Sequence, residues 1–223
     1  MNWTFGIITD GSQDDQLNQM YESIVSQKIP LSNWEIIIVG NSKLQKKNLS
    51  VLKFDENIKQ NWITKKKNIL VQNSQFENIV LMHDYLLLEP DWYTEFEKFG
   101  DNWDVCMNRL INPSGERYRD WVSWAPIRYI PYENNTHLRH MYVSGAYFCV
   151  KKTFYLENPL DESIVWGMGE DVEWSLRIRD KWNYRCNHNS IVKLINYKEP
   201  KCHPYDANDI GSKCLQEHPF QIL

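Results

Sequence analysis

TFGIITDG, Thr4 to Gly11, and WEIIIVGNS, Trp34 to Ser42, are the two stretches whose reading decides the fold. In each, an apolar run stops abruptly at turn formers, Asp10-Gly11 in the first and Gly40-Asn41 in the second. Strands that are apolar throughout, rather than at alternate positions, are buried on both faces. Between them Asp14 to Gln27 carries Leu17, Met20, Tyr21, Ile24 and Val25 at helical spacing, with Pro30 beyond the end. Strand, helix and strand in that order predict an α/β fold, a Rossmann-like, mostly parallel central sheet flanked by helices in a single domain. Such sheets bind ligands beyond the carboxyl ends of their strands. Thr9, Asp10 and Asn41 lie at such ends and are candidates for contacts to a nucleotide, although plain turn residues have the same composition.

Further along, Val51 to Phe54 reads as a short third strand and Ile63 to Val71 as a helix with Lys65, Lys66, Lys67 and Asn68 towards its start. Ile79 to Met82 is another buried strand, running directly into His83-Asp84-Tyr85. A lysine triplet is usually a solvated face. Here it lies close in sequence to a strand ending in a carboxylate, which makes Lys66 and Lys67 candidates for contacting phosphate. Asp91 to Phe99 predicts a surface helix between Pro90 and Gly100, and Val105 to Ile111 a strand. Asn112 to His140 has no period but many turn formers and aromatics, Trp121 and Trp124 among them, and is expected to be an acceptor-side loop. Met141 to Val150 predicts a strand in which Gly145 marks a close approach. Ile191 to Ile195 predicts the last strand, and the tail contains His203.

WGMGEDVEW, Trp166 to Trp174, carries the chemistry. Gly167 and Gly169 free the backbone ahead of a helix expected over Asp171 to Lys181, with Glu170 and Asp171 at its first turn. Carboxylates there meet unpaired N–H groups and the positive end of the helix dipole. That predicts an acid ionised at neutral pH and able to take a proton from an attacking hydroxyl. Capping alone would also place acids here. The paired glycines and Trp166 describe instead a mobile, aromatic-walled site.

Composition bounds the rest. The chain has 223 residues, 42% hydrophobic and 24% charged, as expected for one soluble domain. A formal charge of −4 gives no general attraction for nucleic acid or anionic lipid. No apolar run approaches the roughly 20 residues of a membrane span. The N-terminus runs straight into a strand pattern with no export signal. Five cysteines without a Cys-x-x-Cys pair are expected to be reduced thiols of a cytosolic, cytoplasmic protein. Ten tryptophans and twelve tyrosines offer flat faces to sugar rings, though aromatics more often fill cores.

Taken in order, these motifs resemble the nucleotide-sugar-dependent glycosyltransferases of the GT-A fold, especially family two, over about Thr4 to His203. TFGIITDG is similar to that family's opening strand, WEIIIVGNS to the second, and ITKKKNILV to the helix ending in a basic residue and Asn. IVLMHDYLLLEPDWY resembles the strand with the metal-binding Asp-x-Asp, and GMGEDVEWSLR the helix with the Glu-Asp pair of the base. WGMGED is also similar to a stretch of β-1,4-galactosyltransferases. The resemblance implies an inverting transfer of a sugar, most simply from a UDP-sugar, to a carbohydrate hydroxyl. Residues 1–111 would be the nucleotide-sugar half and 112–223 the acceptor and catalytic half. Thr9, Asp10, Asn41, Lys66, Lys67, His83 and Asp84 would contact the donor. Asp171 would be the base, and Glu170, Trp121, Trp166 and Gly167 would meet the acceptor. Asp84 and His203 would hold Mn2+ or Mg2+. Tyr85 departs from the pattern, standing where the family has a second carboxylate. A metal-independent enzyme using lysines, a degenerate carbohydrate-binding protein of the same fold and a nucleotidyltransferase remain alternatives.

Overall fold

A computed structural model of the chain describes residues 1–211; Cys214 and the rest of 212–223 lie outside them. β1 (Trp3–Ile8), α1 (Asp14–Val25), β2 (Trp34–Val39) and β3 (Leu49–Leu52) are followed by α2 (Ile63–Asn73), β4 (Asn78–His83), β5 (Leu86–Leu88), α3 (Trp92–Phe99) and β6 (Val105–Ile111). β7 (Val122–Ser123), β8 (Arg128–Tyr129) and β9 (Met141–Tyr142) precede β10 (Tyr147–Lys151), α4 (Lys152–Glu157), α5 (Glu170–Ile178) and β11 (Tyr184–Leu194). The main sheet has the order β3-β2-β1-β4-β10-β6-β11-β5, so strands from both sides of residue 111 share it.

That sheet is mixed. β3, β2, β1 and β4 are parallel, β10 runs antiparallel to both β4 and β6, and β5 runs antiparallel to β11. An apolar strand reads alike in either direction, so its pattern does not reveal this reversal. The predicted strand over Met141 to Val150 is broken in two: β9 joins β7 and β8 in a small second sheet, β10 joins the main one, and the chain bends between them around Gly145. β11 starts well before Ile191, its first half disguised by polar residues such as Asn187, whose amide is used internally, donating to Glu95 O and Ser190 Oγ.

Most of the tryptophans serve the core. Trp3, Trp92 and Phe96 meet edge-on or tilted with ring centroids 4.7–4.9 Å apart. Trp92 Nε1 donates to Tyr147 Oη at 3.0 Å, and Tyr147 donates to Asn108 Oδ1, so these two polar tips are satisfied, whereas the buried Trp3 Nε1 has no partner among the described residues. Trp92→Ala removes the ring at the centre of this cluster and should cost about 3–5 kcal/mol, read as a lower urea midpoint at unchanged m.

Candidate active site

Register brings the strand ends together. Ile8 lies opposite Val39 of β2 on one side and His83 of β4 on the other. The chain leaves β1 towards β2 and later returns to its opposite flank as β4, so the order reverses between β1 and β4. A crevice opens at such a point. Thr9 and Asp84, the residues just beyond these two strands, are joined there: Thr9 Oγ1 donates to Asp84 Oδ2 at 2.6 Å. The cleft, about 230 Å³, is walled by Thr9, Asp10, Glu56, Lys66, His83, Asp84 and Trp166, among others.

The helix α2 deals its three lysines to three surroundings, because successive residues point about 100° apart. Lys65 faces outwards and pairs with Glu162 at 2.9 Å. Lys66 reaches the cleft, where its ammonium donates to Thr9 O at 2.9 Å and pairs with Glu56. Lys67, 1% exposed, is sealed beneath and donates to Gly145 O at 2.7 Å, with Glu170 Oε1 3.9 Å away. It faces the acid pair and is not part of the cleft wall.

Gly145 connects the two regions. His83 N–H donates to Ala146 O at 3.0 Å, and Gly145 N–H donates to Asp171 Oδ2 at 2.9 Å. Val172 N–H holds the other oxygen of Asp171, also at 2.9 Å. A Cβ on residue 145 would lie 2.8 Å from Glu170 Oε1 and 2.9 Å from Asp171 Oδ2, so only glycine admits the acids this closely. Ahead of α5, Gly169 adopts φ +75°, a left-handed conformation that turns the chain into the helix.

Solvation sets the charges. Burial, together with the neighbouring Asp171, pushes the Glu170 carboxyl up to about 7, Lys67 opposing. Burial also raises Asp171, against the Gly145 N–H and Lys67. For Glu170 the expectation of an acid kept ionised by the helix dipole is therefore corrected: desolvation and the neighbouring Asp171 outweigh the dipole. Burial likewise raises Asp84, with Thr9 opposing, whereas hydrogen bonds from Ser12 lower the exposed Asp10. His83 is held well below the usual histidine range by burial and then by Lys67, Lys198 and Lys66; it is a neutral imidazole whose buried Nε2 has no hydrogen-bond partner.

Neither a family model nor any curated protein matches the sequence. Solved structures do match by shape. A structure of GalNAc-T7 with UDP, GalNAc and Mn2+ superposes with a TM-score of 0.68 at 13% identity, covering 98% of this chain and 46% of the other. The S. aureus TarS 1-349 structure gives 0.61 at 13% identity over 88% and 59%, and its complex with UDP-GlcNAc 0.59 at 13% over 96% and 61%. The fold is GT-A. This chain spans about half to three-fifths of those longer chains.

Within the GT-A frame the other expected contacts scatter. Asn41 is exposed beyond β2 and lines a separate groove with Lys43, Lys46, Lys47 and Lys53. Trp121, read as an acceptor contact, is corrected to a core residue: it is 0% exposed, tilts against Tyr184 at 4.7 Å and presents no free face. Trp166 is 62% exposed at the cleft, followed by Gly167 at φ +86°. His203 is exposed, its backbone bonded to Ile127 and Tyr129, and His188 stacks on Tyr132 at 4.9 Å.

The residues around Asp84 do not suit a divalent cation. Hard cations want several oxygen ligands. Of the three carboxylates at the cleft, Asp84 already accepts the Thr9 hydroxyl, Asp10 accepts from Ser12 and Glu56 is paired with Lys66, while a phenol follows Asp84 and the Lys198 ammonium stands 3.2 Å from the centre of that phenol ring. Among the described residues no three His, Cys, Asp or Glu side chains converge in a manner suited to a metal. Two buried asparagines complete the surroundings. Asn68, named in the sequence with the lysines but given no role of its own, donates to Leu160 O and Glu162 Oε1 and accepts from Tyr155 and Leu160, anchoring the segment before Trp166. Asn112 grips the backbone of Lys198. Buried asparagines have no local signature.

Glu170 should titrate near pH 7 by carboxyl 13C NMR, and Lys67→Met should move that titration upwards, since a cation favouring the charged form is lost. Folding raises this group from an ordinary 4.5. Its contribution to stability is therefore fully present below that value and lost as pH rises through about 7. Gly145→Ala should destabilise the protein by about 1–3 kcal/mol and perturb the Glu170 titration, which a surface Gly115→Ala control should leave unmoved.

Proposed function

We propose that this protein is an inverting glycosyltransferase that moves a sugar from a nucleotide sugar, most simply a UDP-sugar, to a carbohydrate hydroxyl. The observation that carries the reading is convergence: a crevice at the strand-order reversal of a GT-A sheet abuts an acid pair, buried Glu170 and half-buried Asp171, through the β4–β10 contact. The structures it resembles include complexes with UDP, GalNAc and UDP-GlcNAc. A binding module would have no need of a carboxylate bonded to the Gly145 peptide, with a second beside it, at the end of such a crevice.

In this reading residues 1–111 hold the donor and 112–223 the acceptor and base. Asp10, exposed and ionised at the crevice mouth, meets the nucleoside. Lys66 and neutral His83 face the diphosphate sugar from the cleft wall, and Trp166 offers a face to the acceptor. Asp171 is the base. The acceptor oxygen bonds to the anomeric carbon from the side opposite the diphosphate, and its proton passes to Asp171. The bond from the anomeric carbon to the phosphate oxygen breaks, and its electron pair leaves with the nucleoside diphosphate. Attack and departure on opposite faces invert the anomeric centre. Burial, which raises Asp171, makes it a better proton acceptor than a solvated carboxylate, while Gly145 and Val172 fix both its oxygens. Glu170 bears on the acceptor hydroxyls beside it. Unpaired thiols go with a cytoplasmic location.

Asp171→Asn keeps the shape and removes the base. Sugar transfer should fall by about 10²–10⁴-fold while UDP affinity by calorimetry stays within about twofold. Wild-type turnover in this variant would refute the assignment of the base.

A further inference from the structure

We infer that Lys198 supplies the positive charge that the departing diphosphate requires, so that this chain transfers its sugar without a divalent cation; the inference rests on the glycosyltransferase reading above. The leaving nucleoside diphosphate gains negative charge as its bond to the sugar breaks, and a fixed cation beside the phosphates lowers that barrier. The residues at the end of β4 provide such a cation and lack the means to hold a metal. Tyr85 supplies a phenol where a second carboxylate would be needed, and Asp84 is bonded to Thr9. The Lys198 ammonium lies over the Tyr85 ring at 3.2 Å, near enough to Asp84 for that carboxylate to favour its charged form and near enough to His83 to disfavour protonation there. A divalent ion at Asp84 would meet this charge at close range and be repelled.

Lys198 is a held group. The buried Asn112 side chain accepts from Lys198 N–H and donates to Lys198 O, each at 2.9 Å, while Ile195 N–H donates to Tyr85 O at 2.9 Å. Three bonds thus tie the segment to Tyr85, just beyond β4, and to Asn112, just beyond β6. Its charge rests on the Tyr85 ring and, among the described residues, is not neutralised by a paired carboxylate. Lys66 is engaged by Glu56 and Thr9, and Lys67 by Gly145 and Glu170, whereas Lys198 makes no salt bridge among the described residues. Half-buried, it is partly stripped of water, which lowers its pKa and increases what an anionic partner would return. The ammonium stays protonated throughout, donating N–H bonds to non-bridging phosphate oxygens, and exchanges no proton.

The test measures UDP release from a panel of UDP-sugars, with UDP binding by calorimetry, for the full chain in EDTA and in Mn2+. Wild type should turn over in EDTA at a rate within about twofold of that in Mn2+. Lys198→Met should lose about a hundredfold in both, Lys198→Arg should recover most of it, and circular dichroism should show both variants folded. Turnover abolished by EDTA and restored by Mn2+ would overturn the inference while leaving the glycosyltransferase reading intact. So would a folded Lys198→Met variant that releases UDP at the wild-type rate. A wild-type protein that neither binds UDP nor cleaves any UDP-sugar would overturn that reading, and this inference with it.

Discussion

The peptide at Gly145 is bonded on both sides, and the candidate site depends on it. Its N–H fixes Asp171 and its carbonyl fixes Lys67. Remove either bond and a buried charge loses its compensation. The arrangement requires three things: no side chain at residue 145, burial of Lys67, and no strand hydrogen bond competing for that N–H. The break between β9 and β10 provides the last of these.

The electrostatics follow from crowding unlike charges where water is scarce. Glu56, Asp84, Glu170 and Asp171 face Lys66, Lys67 and Lys198 around one sheet end. Desolvation disfavours the charged forms of Asp84, Glu170, Asp171, Lys67 and Lys198, and the lysines oppose it for those acids. Glu170 therefore settles at about 7, Asp84 and Asp171 are raised, and the imidazole near the lysines stays uncharged. A group that must take up a proton, and another that must not carry one, are specified by the same few cations.

What the sequence disclosed depended on how local the cause was. β1, α1, β2, α2, β4 and β6 lie within a few residues of expectation because apolar runs and turn formers determine them directly. Asp84 and Lys66 reach the cleft as strand-end and helix-start logic places them. Lys67 and Trp121 show the limit: a lysine and a tryptophan look the same in sequence whether they are sealed in or exposed. The direction of β10, the early start of β11 and the clamp from Asn112 arise from partners far along the chain. Gly145 lies between these cases, since its sequence signals a close approach without naming what approaches.

The reversal of β10 has a consequence for how such a site can vary. Antiparallel to β4, this strand begins where β4 finishes, with Tyr147 opposite Met82. Had it run parallel, its first residue would sit at the far edge of the sheet, about five residues or 17 Å away, and the acid pair could not share an end with Asp84. The pairing also acts as a vernier. A slip of one residue would swap the two faces of β10, carrying Gly145 off Asp171 and exchanging buried Tyr147 for its neighbour. Insertions are therefore tolerable in the long segment before β9, where length is free. Between Tyr142 and Tyr147 the count of residues is itself part of the machinery.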